Sequence, residues 1–154
     1  MKKKAVFPGS FDPITVGHEA LVIRALSIFD EIVVAIGNNA NKHYYFPIEK
    51  RKKWISQVFG SNPQVNVVVY EGLTVDFCRE VGANFILRGL RTSADFEFER
   101  GIGQMNKMLH PDIESVFLLT TPELTPVTSS IIRDVFKNGG DVSQFIPAGI
   151  DLTI

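Results

Sequence analysis

The chain has one cysteine, Cys78, in 154 residues, and no surplus of charge, with 16 Lys and Arg against 17 Asp and Glu. A single thiol excludes an internal disulfide and suits a reducing cytoplasm. Its apolar neighbours Val75, Phe77 and Val81 mark it as a buried structural thiol rather than a reactive one. A formal net charge of −1 leaves no footprint for general nucleic-acid binding, so an anionic ligand must be met by a local cluster. No apolar stretch is long enough to span a membrane. The start Met1-Lys2-Lys3-Lys4 does not lead into a signal peptide, because Pro8 and Gly9 break the apolar segment that follows. Internal repeats, linkers and low-complexity tracts are lacking too. So are a Ser/His/Asp or Cys/His arrangement and a dedicated metal cluster.

What is present fits one domain over residues 1–154, large enough for a sizeable core and ordinary in its 45% hydrophobic and 21% charged content. Five short apolar runs read as buried strands: Ala5 to Phe7, Glu31 to Ile36, Val65 to Tyr70, Phe85 to Leu87 and Ser115 to Leu119. Helical patterns begin between or after them, near Gly17, Pro47, Thr74, Ser93 and Thr128. This alternation predicts an α/β fold, a doubly wound, Rossmann-like domain with a five-stranded parallel sheet. Ligands of such sheets bind beyond the carboxyl ends of the strands. Gly9 to His18, Gly37 to Phe46, Arg88 to Ser93 and Thr120 to Val127 each follow a strand, so they can converge on one cleft.

Three of these segments carry chemistry. In Phe7-Pro8-Gly9-Ser10-Phe11-Asp12-Pro13-Ile14-Thr15-Val16-Gly17-His18, Gly9 and Gly17 allow a sharp turn and close approach to a ligand, while Pro8 and Pro13 stiffen the loop. His18 falls in the first helical turn, where free N–H groups and the helix dipole favour an anion. Arg88 and Arg91 stand in Ile86-Leu87-Arg88-Gly89-Leu90-Arg91, where a strand ends and a helix is about to begin. Two fixed guanidinium forks there suit two phosphate groups, although some pairing with Asp95, Glu97 or Glu99 is expected as well. In Thr125-Pro126-Val127-Thr128-Ser129-Ser130-Ile131-Ile132-Arg133 three adjacent hydroxyls can cap a helix and can also hold a polyphosphate.

Other features read more plainly. Lys50-Arg51-Lys52-Lys53 is the densest charge run and is expected to be the solvated face of an amphipathic helix carrying Trp54, Ile55, Val58 and Phe59. Asn138-Gly139-Gly140 is a helix stop. His43 and His110 have no constellation around them.

The string Pro8 to His18, with Thr15-Val16-Gly17-His18 matching a (T/H)-x-G-H signature, resembles the nucleotidyltransferase superfamily. Within it, Pro8-Gly9-Ser10-Phe11-Asp12-Pro13 and Arg88-Gly89-Leu90-Arg91 followed by Asp95-Phe96-Glu97-Phe98-Glu99 resemble the bacterial phosphopantetheine adenylyltransferases, over essentially the entire chain. Two departures stand out: Ser10 replaces the usual threonine, and Val127-Thr128 replaces the usual Ile-Ser, each keeping a hydroxyl. The resemblance implies transfer of the adenylyl group of ATP to 4′-phosphopantetheine in coenzyme A synthesis. It implies that Ser10, Lys42, Thr74 and Arg88 meet the acceptor and that His18, Lys42, Arg91 and Ser10 carry catalysis. It assigns ATP to Ser10, Phe11, His18, Gly89, Leu90, Arg91, Glu99, Leu124, Thr125, Pro126, Val127, Thr128, Ser129 and Ser130. Mg²⁺ is expected on the polyphosphate, coenzyme A as a feedback ligand, and a homohexamer as the assembly, with neither nucleic acid nor membrane as partner. The competing readings are another nucleotidyltransferase, acting on nicotinamide mononucleotide or transferring a cytidylyl group, and a silent nucleotide-binding module on the same fold.

Overall fold

A computed structural model describes residues 2–154, and Met1 lies outside the described residues. Five strands form one sheet: β1 (Lys4–Gly9), β2 (Glu31–Gly37), β3 (Val65–Tyr70), β4 (Phe85–Leu90) and β5 (Glu114–Leu119), in the order β3-β2-β1-β4-β5. Every neighbouring pair is parallel. The helices α1 (Val16–Ala25), α2 (Ile48–Phe59), α3 (Thr74–Val81), α4 (Ser93–Leu109) and α5 (Ser129–Lys137) fall where the sequence pattern places them. A short 3₁₀ turn at Pro122–Leu124 leads toward α5.

Alternation along the strands sorts the core into two layers, as the two-residue period of a strand requires. Ala5, Phe7, Ile32, Val34, Ile36 and Leu87 face one side, beneath α1, α2 and α5. Val6, Val33, Ala35 and Ile86 face the other, against Val75, Phe77 and Cys78 of α3. Cys78 is fully buried, and desolvation pushes its thiol up to about 12, which makes it inert. Val142, Ile146 and Leu152 of the C-terminal tail join the larger layer, and the Phe145 carbonyl accepts from Val16 N–H at 2.9 Å. The tail thus closes the core beside the start of α1, which its short Pro- and Gly-containing sequence does not advertise.

The strand order reverses direction between β1 and β4, and a ligand crevice opens at such a switch point. β1 pairs with β2 along its whole length, through Gly9 and Ile36, whereas its pairing with β4 runs only over Ala5–Phe85 and Val6–Ile86. Pro8 has no N–H to offer a ladder. Beyond Val6 the two central strands part, and β4 continues to Leu90 rather than ending at Leu87. Arg88 and Gly89 are therefore strand residues on the wall of the crevice, not part of a loop after it. The extension follows from full pairing with β5, Arg88 opposite Phe117 and Leu90 opposite Leu119.

Candidate active site

The crevice between the parted strands is a cleft of about 330 Å³, lined by the β1–α1 turn, Lys42, Arg88, Gly89, Arg91, Thr120, Thr121, Leu124 and the start of α5. All four expected segments meet there. The sharp bend of the β1–α1 turn is taken by Phe11, whose φ of 48° is left-handed, and not by a glycine. Gly9 and Gly17 serve close packing instead: a Cβ on Gly9 would stand 3.0 Å from the Phe11 ring, and one on Gly17 would stand 3.3 Å from Thr15 Oγ1.

His18 is held by the cap of its own helix. Thr15 Oγ1 accepts from Gly17 N–H and His18 N–H at 3.1 and 3.2 Å, and Thr15 N–H donates to His18 Nδ1 at 3.0 Å. This is a reciprocal capping box in which histidine takes the place of the usual Glu or Gln. A backbone N–H can only donate, so Nδ1 is an acceptor and the proton resides on Nε2. The Phe11 ring meets the imidazole edge-on with centroids 4.8 Å apart, fixing its plane. Burial lowers the His18 pKa from 6.5 to about 3, with the positive charges of Arg88 and Arg91 adding to the effect. His18 is therefore a neutral N–H donor, not a proton carrier, at any ordinary pH.

Around it stand cations. Lys42 Nζ, from the loop after β2, donates to Ser10 Oγ at 2.7 Å. Arg88 grips buried Glu99 with Nε at 3.1 Å and Nη2 at 2.9 Å, and its Nη1 donates to the Pro8 carbonyl across the split between β1 and β4. The guanidinium thus closes the edge left open where the ladder stops. Three of its five N–H groups are used, so two remain for a ligand. Arg91 is exposed and pairs loosely with Asp95, its Nε 3.4 Å from Oδ2. At α5, Thr128 caps the helix through Ile131 N–H, Ser129 Oγ donates to the Pro13 carbonyl at 2.8 Å, and Arg133 donates to the Asp12 carbonyl at 2.8 Å. Of the two anticipated uses of the hydroxyl run the cap is present, made by Thr128, and Thr128, Ser129 and Ser130 line the cleft.

Not every expected residue lies in this cleft. Leu90 is buried and its carbonyl accepts from Thr120 N–H. Thr125 and Pro126 are off the lining. Thr74 and Glu99 border an adjoining hollow that shares Pro8, Gly9, Ser10 and Arg88 with the cleft. Thr74 Oγ1 meets Tyr70 Oη there at 2.8 Å. His43 borders a third, basic hollow beside Lys42, and His110 pairs with Asp76.

The charge run Lys50 to Lys53 corrects the sequence expectation at one position. Arg51 is not on a solvated face but 1% exposed. Helical spacing puts it in line with Ile48, Ile55 and Val58, a signal that the surrounding lysines mask. Asp12 stands out in the sequence only as part of a motif. It is buried, and its two carboxylate oxygens accept from Tyr45 N–H and Phe46 N–H at 2.8 and 2.9 Å.

The chain matches the family described as cytidylyltransferase-like over residues 6–135. It is 51% identical to the phosphopantetheine adenylyltransferase of Flavobacterium psychrophilum, over 96% of this chain and 97% of that protein. It belongs to the phosphopantetheine adenylyltransferase family. The corresponding protein of Bacteroides thetaiotaomicron is 49% identical over 97% of this chain and 99% of its own length. Among solved structures, a bifunctional NMN adenylyltransferase/ADP ribose pyrophosphatase from Francisella tularensis superposes with a TM-score of 0.71 at 18% identity, over 97% of this chain and 46% of that longer one. That likeness shows the shared Rossmann-like fold. In this phosphopantetheine adenylyltransferase family member His18, Arg88, Arg91 and Lys42 stand around one crevice.

Proposed function

We propose that this chain transfers the adenylyl group of ATP to 4′-phosphopantetheine, giving dephospho-coenzyme A and pyrophosphate. The observation that carries the proposal is the neutral, oriented imidazole of His18 within a cationic crevice, in a chain half identical to phosphopantetheine adenylyltransferases. Acyl or glycosyl chemistry would need a nucleophile or paired free carboxylates. Adenylyl transfer needs neither, because the acceptor phosphate is itself an ionised nucleophile. One of its oxygens attacks the α-phosphorus of ATP in line, the bond from that phosphorus to the β-phosphate oxygen breaks, and pyrophosphate leaves. Positioning and charge stabilisation then supply the rate.

In this scheme Ser10 and Lys42 seat the acceptor phosphate, helped by the two remaining N–H groups of Arg88. His18 Nε2–H donates to an oxygen on the α-phosphorus as charge grows there. Arg91 and the Val127 to Ser130 stretch hold the ATP phosphates, with Gly89 and Leu124 on the nucleotide side. Glu99 acts through Arg88, and Thr74 borders the acceptor's path. The whole of residues 1–154 serves as one nucleotidyltransferase domain.

Among the described residues no three His, Cys, Asp or Glu side chains are grouped to hold a metal. Asp12, the acidic residue on the cleft lining, has both oxygens engaged. The donor set therefore does not fit a resident cation. Mg²⁺ enters as part of the ATP substrate, keeping its waters. Coenzyme A, which contains both halves of the product, is the feedback ligand. Assembly into a homohexamer is supported by α4, where Phe98, Met105 and Met108 are 69%, 56% and 77% exposed beside Ile102 and Leu109. No helix among the described residues is long and apolar enough to cross a membrane, and a cytoplasmic setting accords with the single reduced thiol.

The test is pyrophosphate release. Protein with ATP and Mg²⁺ releases it on addition of 4′-phosphopantetheine, and not with nicotinamide mononucleotide or with CTP in place of ATP. Robust turnover of nicotinamide mononucleotide would move the chain to another branch of the superfamily.

A further inference from the structure

Arg51 is the one buried cation among the described residues, and it lies outside both the cleft and the adjoining hollow. No carboxylate pairs with it directly. Its Nε donates to the Phe46 carbonyl at 2.9 Å and its Nη1 to the Ser10 carbonyl at 2.8 Å. The guanidinium carbon sits 4.1 Å from the centre of the Tyr44 ring. Tyr44 is itself pinned, since its hydroxyl donates to the Gly37 carbonyl and accepts from Asn39 N–H, each at 3.1 Å.

Two chain segments distant in sequence are joined in this way. One is the β1–α1 turn at Ser10, the other the loop from Asn38 to Phe46 that carries Lys42. Desolvating a guanidinium is costly, and the charges of Asp12 and Glu49 nearby offset it only in part, since burial remains the largest influence on Arg51. An apolar side chain could fill the same volume without that cost. The planar fork instead ties two carbonyls at a fixed separation, which neither an apolar side chain nor a lysine can do.

We infer that Arg51 is a positioning residue, which sets the spacing of Ser10 Oγ and Lys42 Nζ for a phosphate monoester without touching the substrate. The inference rests on the proposed function in one respect, that the acceptor phosphate is seated at Ser10 and Lys42. Among the described residues Arg51 makes no hydrogen bond or ion pair to His18, Arg91 or α5, so its influence falls on the acceptor's phosphate rather than on ATP.

The experiment compares wild type, Arg51→Lys and Tyr44→Phe by calorimetric titration with ATP, with 4′-phosphopantetheine, and with pantetheine, which lacks the phosphate. Arg51→Lys keeps the charge and loses the fork. Its affinity for 4′-phosphopantetheine falls about tenfold or more, the scale of a charge-assisted contact, while affinities for ATP and pantetheine stay unchanged. Tyr44→Phe keeps the ring over Arg51, deletes its two tethers, and gives a smaller loss in the same direction. Equal weakening of 4′-phosphopantetheine and pantetheine by folded Arg51→Lys, or no weakening of either, overturns the inference. Should Arg51→Lys fail to fold, Tyr44→Phe decides by the same criterion: phosphate-selective loss supports it, and equal or no loss overturns it. A wild-type protein without affinity for 4′-phosphopantetheine would overturn the functional proposal as well.

Discussion

The β1–α1 turn and the loop after β2 face each other across Ser10 and Lys42, yet they are built in opposite ways. From Phe11 to Thr15 the turn is buried throughout. Its carbonyls and amides are taken by distant elements, Arg133 on the Asp12 carbonyl, Ser129 on the Pro13 carbonyl and the tail's Phe145 on Val16 N–H. The loop is exposed from Asn39 to His43 and is secured mainly at its base, by the Tyr44 hydroxyl, by the Asp12 carboxylate beneath Tyr45 and Phe46, and by Arg51 on the Phe46 carbonyl. The difference matches what each must supply. In the proposed scheme a hydrogen-bond donor aimed at one oxygen needs a fixed orientation, and His18 stands at the start of its helix beside the buried turn. In that scheme a cation that attracts a phosphate tolerates more freedom than an aimed donor, and Lys42 is on the exposed stretch of the loop, whose base Arg51 ties down at the Phe46 carbonyl.

If orientation is the turn's contribution, the largest effect comes from removing the oriented donor. His18→Ala loses on the order of 10²–10³ in turnover, the usual cost of one preorganised donor to developing charge. ATP affinity changes little, because the contact strengthens only in the transition state. Single-turnover formation of dephospho-coenzyme A, measured with ATP binding on the same preparation, checks both. Near-normal turnover of folded protein would leave Lys42 and Arg91 to stabilise the transferred charge.

The loop's charge should act on binding. Lys42→Ala weakens 4′-phosphopantetheine by about 1.5–3 kcal/mol, as expected for a charge-assisted contact, with thermal stability unchanged. Arg88→Ala gives a similar loss of acceptor affinity and also lowers the melting temperature. It leaves the 8% exposed carboxylate of Glu99 without its partner and the Pro8 carbonyl without its donor. Calorimetry and thermal unfolding of the two variants separate a cation that only binds from one that also closes the sheet. Loss of ATP affinity with acceptor affinity intact in Arg88→Ala would reverse the division of the cleft.

Much of this architecture is legible in the sequence because it is written in local pattern. β3 and α3 fall on the expected residues, since apolar alternation and helical period are properties of neighbours. The converging segments follow from strand order alone. What escaped is what depends on distant partners. β4 runs on through Arg88 because β5 pairs with it, and Phe11 rather than Gly9 takes the left-handed turn, with its ring edge-on to His18. Arg51 was hidden by the lysines on either side, and Thr15's grip on His18 Nδ1 by a capping pattern that normally ends in Glu or Gln.

Thr15 offers a finer cut into the same turn. Thr15→Val preserves shape and removes the oxygen that accepts from Gly17 and His18 N–H, a cap worth about 1 kcal/mol. The backbone donor to Nδ1 survives, so the tautomer persists and turnover falls far less than in His18→Ala. A loss of turnover as large as that of His18→Ala would mean that the hydroxyl, not the backbone, orients the ring.

The smallest effect concerns pH, and it asks whether the rigid turn really keeps His18 neutral. With its pKa lowered from 6.5 to about 3 in the folded protein, the imidazole refuses a proton that the unfolded chain accepts below about 6.5. In that window the unfolded state binds more protons, so the His18 contribution destabilises the fold as pH falls from 6.5 toward 3 and is absent above it. His18→Gln keeps an amide donor near the same place and cannot titrate. Its melting temperature therefore drops less than that of the wild type between pH 7.5 and pH 5, while His43 and His110 are common to both proteins and cancel in the difference. The wild-type rate shows no acid limb from His18 over the same range, because a group already neutral at pH 5 has no protonation step left to lose. Parallel melting curves for the two proteins would mean that His18 is protonated in the fold, and that the turn presents an imidazolium to the α-phosphate instead of a neutral donor.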